Sequence, residues 1–166
     1  MGAFKPNYSK LCQVIGDNSL KWAAAEQNLD LCVTIIFRLA GGSKLRKDLE
    51  LPRSLTQKTK FVRDALRRLP SLKPFADAGK LAMDEMDDLA LRRNIVTHGA
   101  VLEFHRQSGT WDFLKFEYGK DIHTARPVSV SLDALEADGI AMMDLSAKVG
   151  SLSKSLLRRF APPHAQ

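Results

Sequence analysis

The residues best suited to chemistry in this sequence lie in one short stretch, LRRNIVTHG, which runs from Leu91 to Gly99. Within it, Arg93 and His98 stand five positions apart, and Asn94 follows the arginine. A histidine gains or loses a proton near neutral pH, whereas an arginine stays charged and offers a forked set of donors to an anion. These side chains could therefore combine proton transfer with anion binding.

The same stretch has a purely structural interpretation. Cations are favourable at the C-terminus of a helix, because the last carbonyl groups carry partial negative charge. A glycine in this position, here Gly99, commonly ends a helix in the left-handed conformation. Spacing alone does not separate this interpretation from a functional site, so the elements that position these residues decide the question.

Length and composition indicate one globular domain. The chain has 166 residues, of which 45% are hydrophobic and 27% are charged, and this length can bury one well-formed core. No run approaches the roughly 18 apolar residues that a membrane span needs, and the N-terminus lacks the apolar core of a signal peptide. Cys12 and Cys32 predict neither a disulfide framework nor a zinc site. We therefore expect a cytoplasmic protein with no metal, no cofactor and no membrane partner.

The net charge of +6 favours a polyanionic partner, because clustered cations raise the local concentration of phosphate backbones. The densest basic cluster lies on one face of the second predicted helix, and its candidate nucleic-acid-binding residues are Lys58, Arg63 and Arg67. A solvated helix face explains a charge excess of this size equally well. These cations support nucleic-acid binding only if they lie on the same side of the fold as His98.

Two helices are predicted before the candidate site. Residues 18–40, NSLKWAAAEQNLDLCVTIIFRLA, have a helical pattern, with N-cap candidates at Asp17 to Ser19 and a glycine pair at the end. The apolar stripe of this helix contains a carboxylate, Glu26, which needs a partner. The second helix is predicted to begin with a capping box formed by Ser54 and Gln57.

The candidate site ends a third helix, which we predict from about Ala78 to His98. Arg93 continues the core-facing stripe of this helix, whereas Asn94 and His98 share a flank one turn apart. After Gly99 the hydrophobic pattern changes to a period of two, which predicts a β-hairpin with the turn QSGT and a short third strand at RPVSV.

A long last helix is predicted after Ser131, which is placed to cap it. Apolar residues recur along it every seven positions, and Gly139 and Gly150 predict a kink or a close helix crossing. The fold class is therefore mainly α, with four to five helices and a small β-hairpin between the third and last long helices. The expected organisation is an N-terminal extension at 1–17, one helical domain at 18–160 with a hairpin insertion at about 100–130, and a disordered tail at 161–166.

The stretch from Arg93 to Gly99, read as R-N-x-x-x-H-G, resembles the motif of the HEPN-domain family. HEPN domains are α-helical, commonly dimerise and include metal-independent ribonucleases, many of them toxins. The order of elements is similar as well: W-x-x-x-E in the first helix (Trp22 to Glu26), a lysine-bearing second helix, a motif helix and a long last helix. The similarity covers roughly residues 18–160, and only the motif is specific. It implies a HEPN-like bundle and a homodimer.

The resemblance further implies an endoribonuclease in which Arg93 and His98 are catalytic. RNA cleavage without a metal needs a base for the 2′-OH, an acid for the leaving 5′-oxygen and a cation for the phosphate. One histidine cannot be base and acid at once, so a twofold dimer with two copies of His98 would complete the site. Asn94 would orient the substrate or the imidazole, and Glu26 would pair with Arg93. The expected partner is RNA rather than DNA, which lacks the 2′-OH, and the RNA-binding candidates are Lys58, Arg63 and Arg67.

Two classes of function stay open. The first is a ribonuclease, such as the toxin of a toxin–antitoxin or stress and defence system, controlled by an inhibitory partner protein. The second is a non-catalytic HEPN-like module that dimerises or binds RNA or a nucleotide. Motif helices that face each other across a basic cleft favour the enzyme, whereas a His98 packed into the monomer core favours the module.

Overall fold

The computed structural model describes residues 5–46, 48–118 and 123–162. Its elements, in chain order, are helix α1 (Lys5–Arg38), a 3₁₀ turn (Gly42–Leu45), helix α2 (Leu55–Arg68), a 3₁₀ turn (Pro70–Phe75), helix α3 (Ala76–His98), strands β1 (Ala100–His105), β2 (Thr110–Tyr118) and β3 (His123–Ser131), and helix α4 (Leu132–Phe160). The predicted fold class is confirmed, because four helices accompany one small antiparallel sheet that follows the third helix.

The chain forms two compact units. The first unit comprises the residues up to Lys21 together with Leu89–Met142, and the second comprises Trp22–Asp88 together with the residues from Met143 onward. Helices α1, α3 and α4 each contribute residues to both units. The predicted disordered tail lies mostly outside the described residues, as do the first four residues of the predicted N-terminal extension.

Helix α1 begins much earlier than the sequence pattern indicates. It starts at Lys5, so the predicted N-cap at Asp17 to Ser19 is wrong. The apolar stripe continues toward the N-terminus through Leu11, which is fully buried. Asn18 lies on the same stripe and is also buried, and its side-chain amide donates a 2.7 Å hydrogen bond to the backbone carbonyl of Leu135. A buried asparagine therefore occupies a position that, by residue type alone, predicts a cap.

Helix α2 begins as predicted. The hydroxyl of Ser54 accepts a hydrogen bond from the backbone N–H of Gln57 at 3.3 Å, and the side chain of Gln57 accepts one from the backbone N–H of Ser54 at 3.4 Å. This capping box satisfies two donors that the first turn leaves unpaired. The residues that α2 buries are Thr59, Phe61, Val62, Ala65 and Leu66.

The sheet confirms the predicted hairpin and third strand. Its strand order is β1-β2-β3, with antiparallel pairing throughout, and the β1–β2 turn contains Gly109 at φ 67°. Trp111 and Phe113 on β2 are fully buried and form a core cluster with Leu11, Val14 and Leu135. Leu102 lies at a bulge in β1, where the register shifts between Val101 and Glu103. The sheet thus buries one face within the first unit.

Helix α4 carries the predicted seven-residue stripe, and its two glycines allow close approach by side chains of α1. A Cβ atom at position 139 would collide with the side-chain oxygen of Asn18, and one at position 150 would lie 3.2 Å from Nδ2 of Asn28. Asn28 Nδ2 also donates to the backbone carbonyl of Ser146 at 3.1 Å. Of the two alternatives, the close approach is therefore present. Within the residues described, no helix has both the length and the apolar character needed to cross a membrane.

Candidate functional site

The candidate site lies at the end of α3, in the first unit, where the helix passes directly into strand β1. The backbone N–H of Gly99 donates to the carbonyl of Ile95 at 2.9 Å. Gly99 does not have a positive φ, so the predicted left-handed cap is wrong. The glycine is required for a different reason, because a Cβ atom would collide with the carbonyl of Ile95 and lie 3.2 Å from the Cβ of Phe113. Close packing of the helix end against β2 thus selects this residue.

Arg93, Asn94 and His98 have different degrees of exposure. Arg93 is partly buried and its Nε atom is inaccessible to solvent, whereas Asn94 and His98 are exposed. Arg93 Nη1 donates a hydrogen bond to Asn94 Oδ1 at 3.1 Å. The carboxamide therefore holds one edge of the guanidinium. Because the imidazole of His98 is exposed, it does not pack into the core of the monomer.

An ion pair next to the motif joins α3 to α4. Nε of Arg92 lies 3.0 Å from Oδ1 of Asp138, whose side chain is only 16% exposed. Burial raises the pKa of the Asp138 carboxyl, and the charge of Arg92 offsets part of that effect. Sequence reasoning missed Asp138, although it follows the buried Leu135 by three positions and precedes the buried Met142 by four. That spacing on an apolar stripe is the signal that could have identified it.

Glu26 belongs to the second unit, whereas Arg93 belongs to the first. Glu26 is partly exposed, and its neighbours on the same stripe, Trp22 and Leu29, are buried. Its pairing with Arg93 stays a prediction.

Each of the three candidate RNA-binding cations on α2 already has a carboxylate partner. Lys58 Nζ lies 2.5 Å from Asp30, and Arg67 Nη2 lies 2.6 Å from Asp64. Arg63 is held by three groups of α3: the carboxylates of Asp84 and Asp87 and the backbone carbonyl of Met83. Such pairs reduce the charge that a phosphate would meet, so these three residues contribute less to anion binding than their sequence suggests.

A second histidine lies in a polar cluster on the face of the sheet opposite Trp111. His105 Nε2 lies 2.8 Å from Asp112 Oδ2, and Ser129 Oγ donates to Asp112 Oδ1 at 2.5 Å. The hydrogen bond to Asp112 raises the pKa of His105, and the bonds from Ser129 and His105 lower the pKa of Asp112. The serine contacts the carboxylate rather than the imidazole, so it is not activated as a nucleophile. The cluster therefore connects three strands.

Comparisons with known proteins assign nothing to this site. No protein-family model matches the chain, and neither a curated protein nor a solved structure matches it. Among residues 5–46, 48–118 and 123–162, no group of three or more histidine, cysteine, aspartate or glutamate side chains is arranged to hold a metal ion.

Proposed function

We propose that this protein is a HEPN-like, metal-independent endoribonuclease in which Arg93 and His98 are catalytic and Asn94 is supporting. The observation that carries the proposal is the end of α3, where an exposed imidazole follows a partly buried guanidinium that donates a hydrogen bond to the adjacent carboxamide. An imidazole that water can reach can also reach a substrate. A guanidinium with restricted motion loses less freedom on binding a phosphate.

The helix geometry favours a site completed by a second copy of the chain. Five helical positions separate Arg93 from His98, which corresponds to about 7.5 Å along the axis and about 140° around it. Two side chains that diverge by this angle converge poorly on one phosphate within a single chain. We therefore propose a homodimer in which the His98 residues of both copies act at one scissile bond.

In this reaction, His98 of one copy takes the proton of the 2′-OH as its oxygen attacks phosphorus. Arg93 donates to the non-bridging oxygens as negative charge develops on them. His98 of the other copy protonates the leaving 5′-oxygen. The products are a 2′,3′-cyclic phosphate end and a free 5′-OH end.

The decisive test is incubation of the purified protein with single-stranded RNA, and with DNA of the same sequence, in excess EDTA and with added magnesium. RNA should be cut in EDTA to a 2′,3′-cyclic phosphate, while DNA, which has no 2′-OH, should stay intact. His98→Ala should lose about 10²- to 10⁴-fold in rate. His105→Ala is the matched control, because it removes another histidine of the same unit whose side chain is partly exposed, and it should retain activity.

If RNA stays intact under both conditions, or if His98→Ala cuts as fast as the parent, the catalytic proposal fails. RNA binding without cleavage would leave the non-catalytic module in its place. For the enzyme, we propose a cytoplasmic role as a toxin restrained by an inhibitory partner protein. Growth arrest on expression that requires both Arg93 and His98 is the result expected of such a toxin.

A further inference from the structure

A cleft of about 510 Å³ lies between α2 and α3 in the second unit. This volume is within the range of small-molecule sites and can accommodate a nucleotide. Its lining residues are Lys60, Arg63, Asp64, Leu66, Arg67, Ala76, Asp77 and Lys80. The cleft therefore combines four cationic side chains, two carboxylates and a small apolar surface.

The cations of the cleft are not equally available to a ligand. Arg63 and Arg67 are engaged by carboxylates of the same unit. Lys60 and Lys80 are exposed and make no ion pair in the part of the chain that the structure describes. Two ammonium groups that line one cleft and make no ion pair among the described residues favour the binding of a phosphate group in that cleft.

We propose that this cleft binds the phosphate group of a nucleotide through Lys60 and Lys80. The partly exposed side chain of Ala76 can contact the sugar or base. Arg63 lines the same cleft. Among the described residues its guanidinium donates hydrogen bonds through Nε and Nη2 and not through Nη1. This assignment rests on the proposed function: the nucleotide is one residue of the RNA substrate.

Removal of a carboxylate from the cleft should have the opposite effect on phosphate binding from removal of a lysine. Asp64 is neutralised by Arg67 at 2.6 Å. Asp77 makes no ion pair among the residues described and lines the same cleft as Lys60 and Lys80. Its charge opposes a bound phosphate, so Asp77→Asn should strengthen binding while Lys60→Glu and Lys80→Glu weaken it.

The experiment measures fluorescence anisotropy of a labelled 2′-O-methyl RNA, which cannot be cut by 2′-OH attack, over a range of salt concentrations. Lys60→Glu and Lys80→Glu should each lower the affinity about tenfold at low salt and reduce the slope of log K against log salt by about 1. Asp77→Asn should raise the affinity severalfold. The matched control is Lys154→Glu, which makes the same charge change at an exposed position of the same unit and should change the affinity less than either lysine variant.

A parallel titration with adenosine monophosphate distinguishes an RNA residue from a free nucleotide. Loss of RNA affinity in the two lysine variants supports RNA, whereas loss of mononucleotide affinity alone identifies a free nucleotide as the ligand. If folded Lys60→Glu and Lys80→Glu bind both probes as the parent does, the proposal is wrong. If the parent protein does not cut RNA but Lys60→Glu and Lys80→Glu still weaken binding, the proposed function is wrong. The proposal that the cleft binds a phosphate group is then still supported.

Discussion

Two glycines inside helices of the first unit should respond in opposite ways to replacement by alanine. Gly16 lies in α1 and Gly139 lies in α4, and both positions have helical neighbours on either side. A Cβ atom at Gly16 would meet no atom within 4 Å, whereas one at Gly139 would collide with the side chain of Asn18. The gain in helix propensity from glycine to alanine is the same at both sites. The difference between the two changes in stability therefore measures the effect of the contact between Gly139 and Asn18.

The expected magnitudes follow from this contrast. Gly16→Ala should stabilise the protein by about 0.5–1 kcal/mol, because alanine loses less backbone freedom in a helix. Gly139→Ala gains the same helix stabilisation, but the new methyl group must displace the buried side chain of Asn18. Breaking the hydrogen bond from Asn18 to Leu135 costs about 1–3 kcal/mol, and overpacking costs about 1–3 kcal/mol. The net effect should be a destabilisation of roughly 1–5 kcal/mol.

Urea unfolding followed by circular dichroism measures both effects as shifts of the midpoint at constant slope. The double variant Asn18→Ala/Gly139→Ala removes the group that the new methyl would strike. It should be less destabilised than the sum of the single variants by about 1 kcal/mol or more. Equal stabilisation by Gly16→Ala and Gly139→Ala, or additive effects in the double variant, would show that Asn18 does not obstruct a Cβ atom at position 139.

Two further predictions concern charged groups of the first unit. The raised pKa of His105 gives stability that is present below its ordinary value of 6.5 and lost as pH rises through the raised value. The lowered pKa of Asp112 gives stability that is present above its ordinary value of 3.8 and lost as pH falls through the lowered value. The melting temperature of the parent should therefore exceed that of Asp112→Asn most between pH 3.8 and 6.5, and a pH-independent difference would contradict this. Asp138→Asn should change the free energy of unfolding, measured with urea, by less than about 1 kcal/mol, because burial already disfavours the charge of Asp138 and Arg92 is half exposed. A larger loss would mean that the ion pair is a main support of the α3–α4 contact.

Local signals in the sequence predicted the elements that depend on local chemistry. The predictions of the capping box at Ser54 and Gln57 and of the β1–β2 hairpin were both correct, because each structure is set by a few adjacent residues. The start of α1 was wrong because Asn18 resembles a cap by type, and only its acceptor on Leu135 makes it a buried helical residue. A side chain's burial depends on its partner, which the local pattern does not contain.

In the candidate site, too, the features set by local sequence were predicted and those that depend on tertiary partners were not. The position of Arg93, Asn94 and His98 at a helix end follows from the sequence, since periodicity and a following glycine define that end. The pairing of Arg92 with Asp138 depends on how α4 packs, and the contact of His105 with Asp112 depends on strand register. The carboxylates that pair with Lys58, Arg63 and Arg67 come from another turn of α2 and from other helices, so residue counts alone overestimate the positive potential of this face.

The bulge in β1 has a consequence for how copies of this chain can associate. β1 is an outer strand of the sheet and begins directly after the motif helix. At the bulge the register skips Leu102, which is 52% exposed, so the outer edge of β1 does not present a regular row of backbone donors and acceptors. A regular, flat edge is a template for pairing with another chain, and a bulge disrupts that template. Association beside the candidate site must therefore rely on side chains, whose identity can be selected, rather than on backbone pairing, which would accept almost any extended segment.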